Sequence, residues 1–175
     1  MPELPASARR VAEALAAAGV TTTIVLLEHA ARTSAEAAAA VGCDVGQIAK
    51  SLIFRRRQTG RALLVIASGA KRVDEATVST LINEPIERAD ADFVRSHTGF
   101  AIGGVAPLAH PAPLVTLIDE DLLVWDAVWA AGGHPHTVFR VTPHELCRVS
   151  GGRVVALRPR VTQRAPSTGE LEEPR

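Results

Sequence analysis

Residues 46–69 read "GQIAKSLIFRRRQTGRALLVIASG". Two runs rich in Ile, Leu, Val and Ala flank Gln58-Thr59-Gly60, a turn composition. The stretch therefore predicts two strands joined as an antiparallel hairpin. Side chains alternate between the faces of a strand with a period of two. Ile48, Lys50, Leu52 and Phe54 share one face of the first strand, and Ala49, Ser51 and Ile53 share the other. An ammonium thus stands among three large apolar side chains. Lys50 and Lys71 are the only lysines among nineteen basic residues. Arginine is otherwise used throughout, and lysine differs from it as a compact point charge on a flexible stem. Lys50 reads either as a lysine whose stem packs while its head reaches water, or as a fixed positive charge on a pocket wall.

Upstream of the hairpin, "SARRVAEALAAAGV" has helical spacing, with Gly19 as its stop. "TTTIVLLE" is short and β-branched, a strand. "RTSAEAAAAVG" carries Thr33-x-x-Glu36 as a capping box and ends at Gly42. Downstream, Asp74 opens a helix over "VDEATVSTLI", Glu84-Pro85 breaks the chain, and "DADFVRSH" forms a short helix ending near Gly99. "TGFAIGGVAPLAHPAP" is a Gly/Pro loop, and "LVTLID" is a strand. "AVWAAGGHPHTVFRVT" predicts two strands around Gly133–His136. Thr142-Pro143-His144-Glu145 is a second capping box, and "GRVVAL" is a last strand. Strands and helices mix without a regular βαβ rhythm. That predicts one α/β (mixed α+β) domain over 1–158, a mixed, largely antiparallel sheet or barrel with helices around it. The polar, Pro-rich segment 159–175 reads as a flexible tail.

The chain has 175 residues and a formal net charge of zero. Zero charge argues against a general nucleic-acid coat, and DNA is not an expected partner. No apolar run approaches the roughly 18–20 residues that span a bilayer. The N-terminus shows no apolar stretch followed by a cleavage site, so a cytoplasmic protein is expected. Cys43 and Cys147 are expected as free thiols.

Three groups could carry chemistry. Lys50 is the first. Gly103-Gly104-Val-Ala-Pro107 is the second: glycines let backbone amides approach a ligand, and such amides can face a developing oxyanion. The alternative is an ordinary turn. The third is His134, His136, His144 and Cys147, soft ligands whose spacing matches no strong zinc signature; the plainer reading is surface histidines with a packed thiol. No Gly-x-Ser-x-Gly elbow, His-Glu-x-x-His or catalytic-cysteine signature is present.

The order of "GQIAKSLIF", "SGAKRVD", "TGFAIGGVAPLAH", "LIDEDLL" and "VWAAGGHPHTVFRVTPHEL" resembles the YbaK/EbsC family. These are free-standing aminoacyl-tRNA deacylases related to the editing domain inserted in bacterial prolyl-tRNA synthetases. The resemblance runs from about Val20 to about Leu157. It implies a twisted, barrel-like mixed sheet flanked by helices. It also implies trans-editing: hydrolysis of the ester joining a wrong small amino acid (Ala, Cys, Ser or Thr) to a tRNA, without a cofactor or metal. The partners it implies are the acceptor end of an aminoacyl-tRNA and, in some settings, a synthetase. Lys50 matches the family's functional lysine, expected to position the acceptor end or balance its charge. Gly103 and Gly104, with Pro107, match the loop whose amides hold the ester carbonyl. The pocket is expected to be lined by Ile48, Leu52, Phe54, Phe100, Ile102 and His136. Ala109 stands where the cysteinyl type of the family has glycine. The competing readings are a tRNA- or aminoacyl-binding module without chemistry, and a zinc hydrolase built on the histidine group.

Overall fold

The structure, a computed structural model, describes residues 2–159. The tail expected from 159 lies, beyond Pro159, outside the described residues. The hairpin is present as β2 (Ile48–Arg56) and β3 (Ala62–Ser68), antiparallel with Lys50 opposite Ala67 and Phe54 opposite Leu63. Gly60 turns it with φ +70°. β3 is buried along its whole length. The sheet is built outward from this pair.

One flank is β6 (Val128–Ala131), β7 (Thr137–Val141) and β1 (Val25–Leu26); the other is β5 (Val115–Asp119) and β8 (Arg153–Val155). The sheet order is β1-β7-β6-β2-β3-β5-β8, with the short β4 (Ile86–Arg88) also on β2. Parallel pairing joins β2 to β6, β3 to β5 and β5 to β8. The sheet is thus mixed and largely antiparallel, as expected, with four antiparallel pairings beside these three among the described residues. The strand expected over 21–28 reduces to two residues of β1, and β4 was not foreseen.

Helices cover both faces. Residues of α1 (Ala6–Ala17), α4 (Ala91–Thr98) and α5 (Pro143–Ser150) pack into the main core with Leu64, Ile66 and Phe139. On the opposite face, α2 (Ser34–Val41) packs Ala37 and Ala38 on Ile48. Further along, α3 (Glu75–Ile82) packs Val78 into a second core with Phe54, Leu63 and Val65. The caps follow their sequence signals. Thr33 accepts from Glu36 N, Asp74 from Thr77 N and Asp90 from Phe93 N. Thr142 and Glu145 form the full reciprocal box. At Thr33 only half the box forms, because the Glu36 carboxylate accepts from Arg32 N instead.

The hairpin turn is clamped by Glu84, which is buried at 4% exposure and accepts from Arg56 Nε at 2.6 Å and from the amides of Gln58 and Thr59. Burial alone would raise its pKa; the Thr59 bonds and the Arg56 guanidinium outweigh that and hold it below 4.5. A depressed carboxyl contributes stability that is full above the unfolded value and fades as pH falls through the native one. Glu84→Gln is therefore expected to flatten the loss of stability below about pH 4. Urea midpoints measured from pH 3 to 7 would show it, and parallel curves for the two proteins would refute it.

Candidate active site

The face of β2 that carries Ile48, Lys50, Leu52 and Phe54 is roofed by α2 at one end and by α3 at the other. Lys50 lies between the two roofs, is exposed, and has no hydrogen bond or ion pair among the described residues. Lys71, by contrast, pairs with Asp121 at 2.9 Å. The edge of β2 adds a second opening. β6 pairs it only at Ile48 and Ala49, and β4 only from Phe54 to Arg56. Residues 50–53 thus have a bare edge, and here a cavity of about 230 Å³ opens. It is lined by consecutive residues of β2, Ile48 to Leu52, from both faces of the strand. The other walls come from residues 31–34 at the start of α2, from Trp129 to Ala131 on β6, and from Ile102, Gly103 and Val105. Lys50 and the glycine-rich loop therefore border one space.

The loop stands close to the β6–β7 turn. A Cβ on Gly104 would sit 2.8 Å from the Cα and carbonyl carbon of His134, backbone that cannot swing aside. Gly103 has φ +87°, open to glycine at little cost. The Gly104 amide donates to Ala101 O at 2.9 Å, so it is spent inside the loop. Gly104 is thus a close-packing position, with its amide already bonded within the loop. The amides of Gly103 and Val105 have no partner among the described residues, and Val105 is buried. Gly104→Ala is expected to cost about 1–3 kcal/mol by overpacking; thermal unfolding would measure it, and an unchanged midpoint would mean the turn yields freely.

His110, which the sequence reading left unassigned, braces the loop. Its Nε2 lies 2.8 Å from Ala106 O and its ring stands edge-on to Phe100. Burial pushes its pKa below 6.5, the Ala106 bond works against this, and the Arg10 charge adds to it. The neutral ring with its proton on Nε2 is the form that donates to Ala106. Ala109, next to it, has φ +66°. A Cβ in that conformation is strained, so Ala109→Gly is expected to stabilise the protein by about 0.5–1 kcal/mol. A lower melting midpoint would contradict this. Residue 109 is a position where backbone geometry favours glycine.

Of the expected pocket residues, Ile48, Leu52 and Ile102 line the cavity, Ile102 as an exposed side chain. Four do not. Phe54 lies past the bare edge, under α3. Phe100 is 1% exposed in the main core, with Arg10 over its ring at 4.8 Å. Pro107, at the end of the loop, is buried. His136 borders β1, its Nδ1 3.4 Å from Leu27 O, while its amide donates to His134 Nδ1. The sequence reading missed Trp129, Arg32 and Ser51. Period-two logic assigns Ser51 to the opposite face; its hydroxyl is buried with no hydrogen-bond partner among the described residues. The zinc reading fails on geometry: among the described residues, no group of three or more His, Cys, Asp or Glu is placed to hold a metal. His134 and His136 lie in the β6–β7 turn, whereas His144 and Cys147 belong to α5. Both thiols are free, and burial raises their pKa, so neither is a ready thiolate.

Residues 28–149 match the family model of the aminoacyl-tRNA editing domain. The chain belongs to that family. A solved structure of a proposed trans-editing enzyme for prolyl-tRNA synthetase is similar to this editing domain at 46% identity and a TM-score of 0.84, covering 90% of this chain and 99% of that one. A scaffold used for computational epitope grafting is 43% identical with a TM-score of 0.83, over 90% and 100% of the two chains. YwhH of Bacillus subtilis (strain 168), an uncharacterized protein, is 30% identical over 129 residues, 73% of this chain and 80% of YwhH. The matched segment contains β2, the glycine-rich loop and every wall of the cavity. No described helix of the editing domain is long and apolar enough to cross a membrane.

Proposed function

We propose that this editing domain hydrolyses, in trans, the ester of a small amino acid wrongly joined to a tRNA. The observation that carries the reading is the shared cavity, bordered by Lys50 and by Gly103 and Val105; among the described residues, neither the Lys50 side chain nor the two amides has a partner. Val105 is buried and Gly103 exposed; a buried amide without a partner is costly, and an ester carbonyl would satisfy that of Val105. The cavity is smaller than the roughly 300–1,000 Å³ of drug-sized sites, which suits a small aminoacyl group. Water adds to the carbonyl carbon, and the oxygen becomes an oxyanion held by the two amides. The intermediate then expels the ribose oxygen, which takes up a proton, and the amino acid leaves as its acid. One oxyanion donor contributes about 3–4 kcal/mol, a large share for an ester that is already activated.

No carboxylate or histidine is among the described residues lining the cavity; the resemblance to the YbaK/EbsC family implies that the substrate itself orients the attacking water, through its free ribose hydroxyl. A synthetase pocket distinguishes one methylene by only about 1–3 kcal/mol, which is why small near-cognate amino acids need a second sieve. The setting is the cytoplasm, with tRNA delivered free or by a synthetase. The test is a panel of alanyl, cysteinyl, seryl and threonyl esters on proline and other tRNAs, followed by loss of label. Hydrolysis of one or more supports the reading. Saturable binding of the RNA with no turnover on any would replace it with a binding module.

A further inference from the structure

The cavity's charge is one-sided. The chain as a whole is neutral, yet the charged residues among the described lining are Arg32 and Lys50, both cations. Neither side chain has a hydrogen bond or ion pair among the described residues. Of the two carboxylates four residues from Arg32, Glu28 and Glu36, the second accepts from the backbone amide of Arg32. Arg32 precedes the cap of α2, so it is held at the cavity by the same Thr33–Glu36 contact that starts the helix. Two unpaired cations at one cavity repel each other unless an anion joins them.

We infer that Arg32 is a positioning residue which, with Lys50, grips a phosphodiester of the single-stranded end carrying the ester. The inference rests on the deacylase reading for the identity of the ligand, but the cation pair can be tested without turnover. Arginine suits the role because its planar fork can give two bonds to phosphate oxygens, whereas Lys50 contributes a point charge. The grip would hold the ester over Gly103 and Val105 without touching the reacting atoms.

The experiment has a binding arm and a kinetic arm. In the first, an uncharged RNA hairpin ending in CCA is titrated at several salt concentrations. Arg32→Ala is expected to weaken binding about 10- to 100-fold. The slope of log K against log salt should fall by about 0.7, the value for one contact to a single strand. Arg32→Lys should recover part of the loss, including the slope. An unchanged slope would overturn the inference whether or not the protein hydrolyses anything. In the second arm, the same variants act on an aminoacylated hairpin and on an aminoacyl-adenosine, which has no phosphate. The wild-type advantage of the hairpin over the nucleoside should shrink about tenfold or more in Arg32→Ala. Equal losses on both substrates would assign Arg32 to the aminoacyl pocket or to the fold and refute the phosphate role. If the wild type binds the hairpin with the expected slope but hydrolyses neither ester, the deacylase reading fails while the grip stands.

Discussion

Lys50→Ala is expected to lower deacylation by about 100-fold or more while leaving the fold intact. The magnitude follows from losing a charge that positions the substrate, since a misplacement of about 1 Å can cost about 100-fold in rate. The structural half follows from the side chain's surroundings. Lys50 is exposed between α2 and α3 and bonds to nothing among the described residues. Surface substitutions of that kind stay within about 0.5 kcal/mol. Lys50→Arg keeps the charge but is a wider, planar group, so it should restore only part of the rate. Initial rates under single-turnover conditions, read beside melting curves, separate the two effects. A variant that keeps most of its turnover would remove Lys50 from the chemistry, and a variant that melts early would make it structural.

Asp119→Ala is expected to give the largest loss of stability, about 3–5 kcal/mol. Asp119 is fully buried at the end of β5. Its carboxylate accepts from Ser68 N at 3.0 Å and Asp121 N at 3.0 Å, and pairs with Arg158 at 3.0 Å. Ser68 ends β3, and its hydroxyl donates to Gly46 O in the 3₁₀ turn that leads into β2. Arg158 also reaches Asp121 and Arg72 O. One carboxylate therefore ties the ends of β3 and β5 to the last described segment. Truncating it leaves the buried Ser68 amide without its acceptor and Arg158 without its inner partner, and such losses are large because desolvation is not recovered. Urea unfolding would measure the effect. A shift below about 1 kcal/mol would show that water replaces the carboxylate at little cost.

Much of the site was legible beforehand because it rests on local signals. The hairpin of 46–69, the caps at Thr33, Asp74 and Thr142, and the glycine-rich loop each depend on residues close in sequence. Lys50 stood out because its neighbours on one strand face are apolar. The wall was harder to read. Phe54 and Phe100 are large apolar residues near the motif, and such residues satisfy a core as readily as a pocket. Trp129 reaches the cavity only because β6 pairs in parallel with the start of β2. Arg32 reaches it because α2 roofs that end of the strand. Gly104 has the composition of an oxyanion loop, but whether its amide is free depends on where Ala101 O lies.

By itself, then, the order of residues along this chain determined most of the elements, the caps at Thr33, Asp74 and Thr142, the family and the unusual lysine, since propensity, alternation and capping act over a few positions. Only the tertiary structure decided where β2 is left bare, which amides remain unpaired and which side chains enter the cavity. Those depend on contacts between segments as distant as 32, 50, 103 and 129, where distance in space is set by packing rather than by sequence separation.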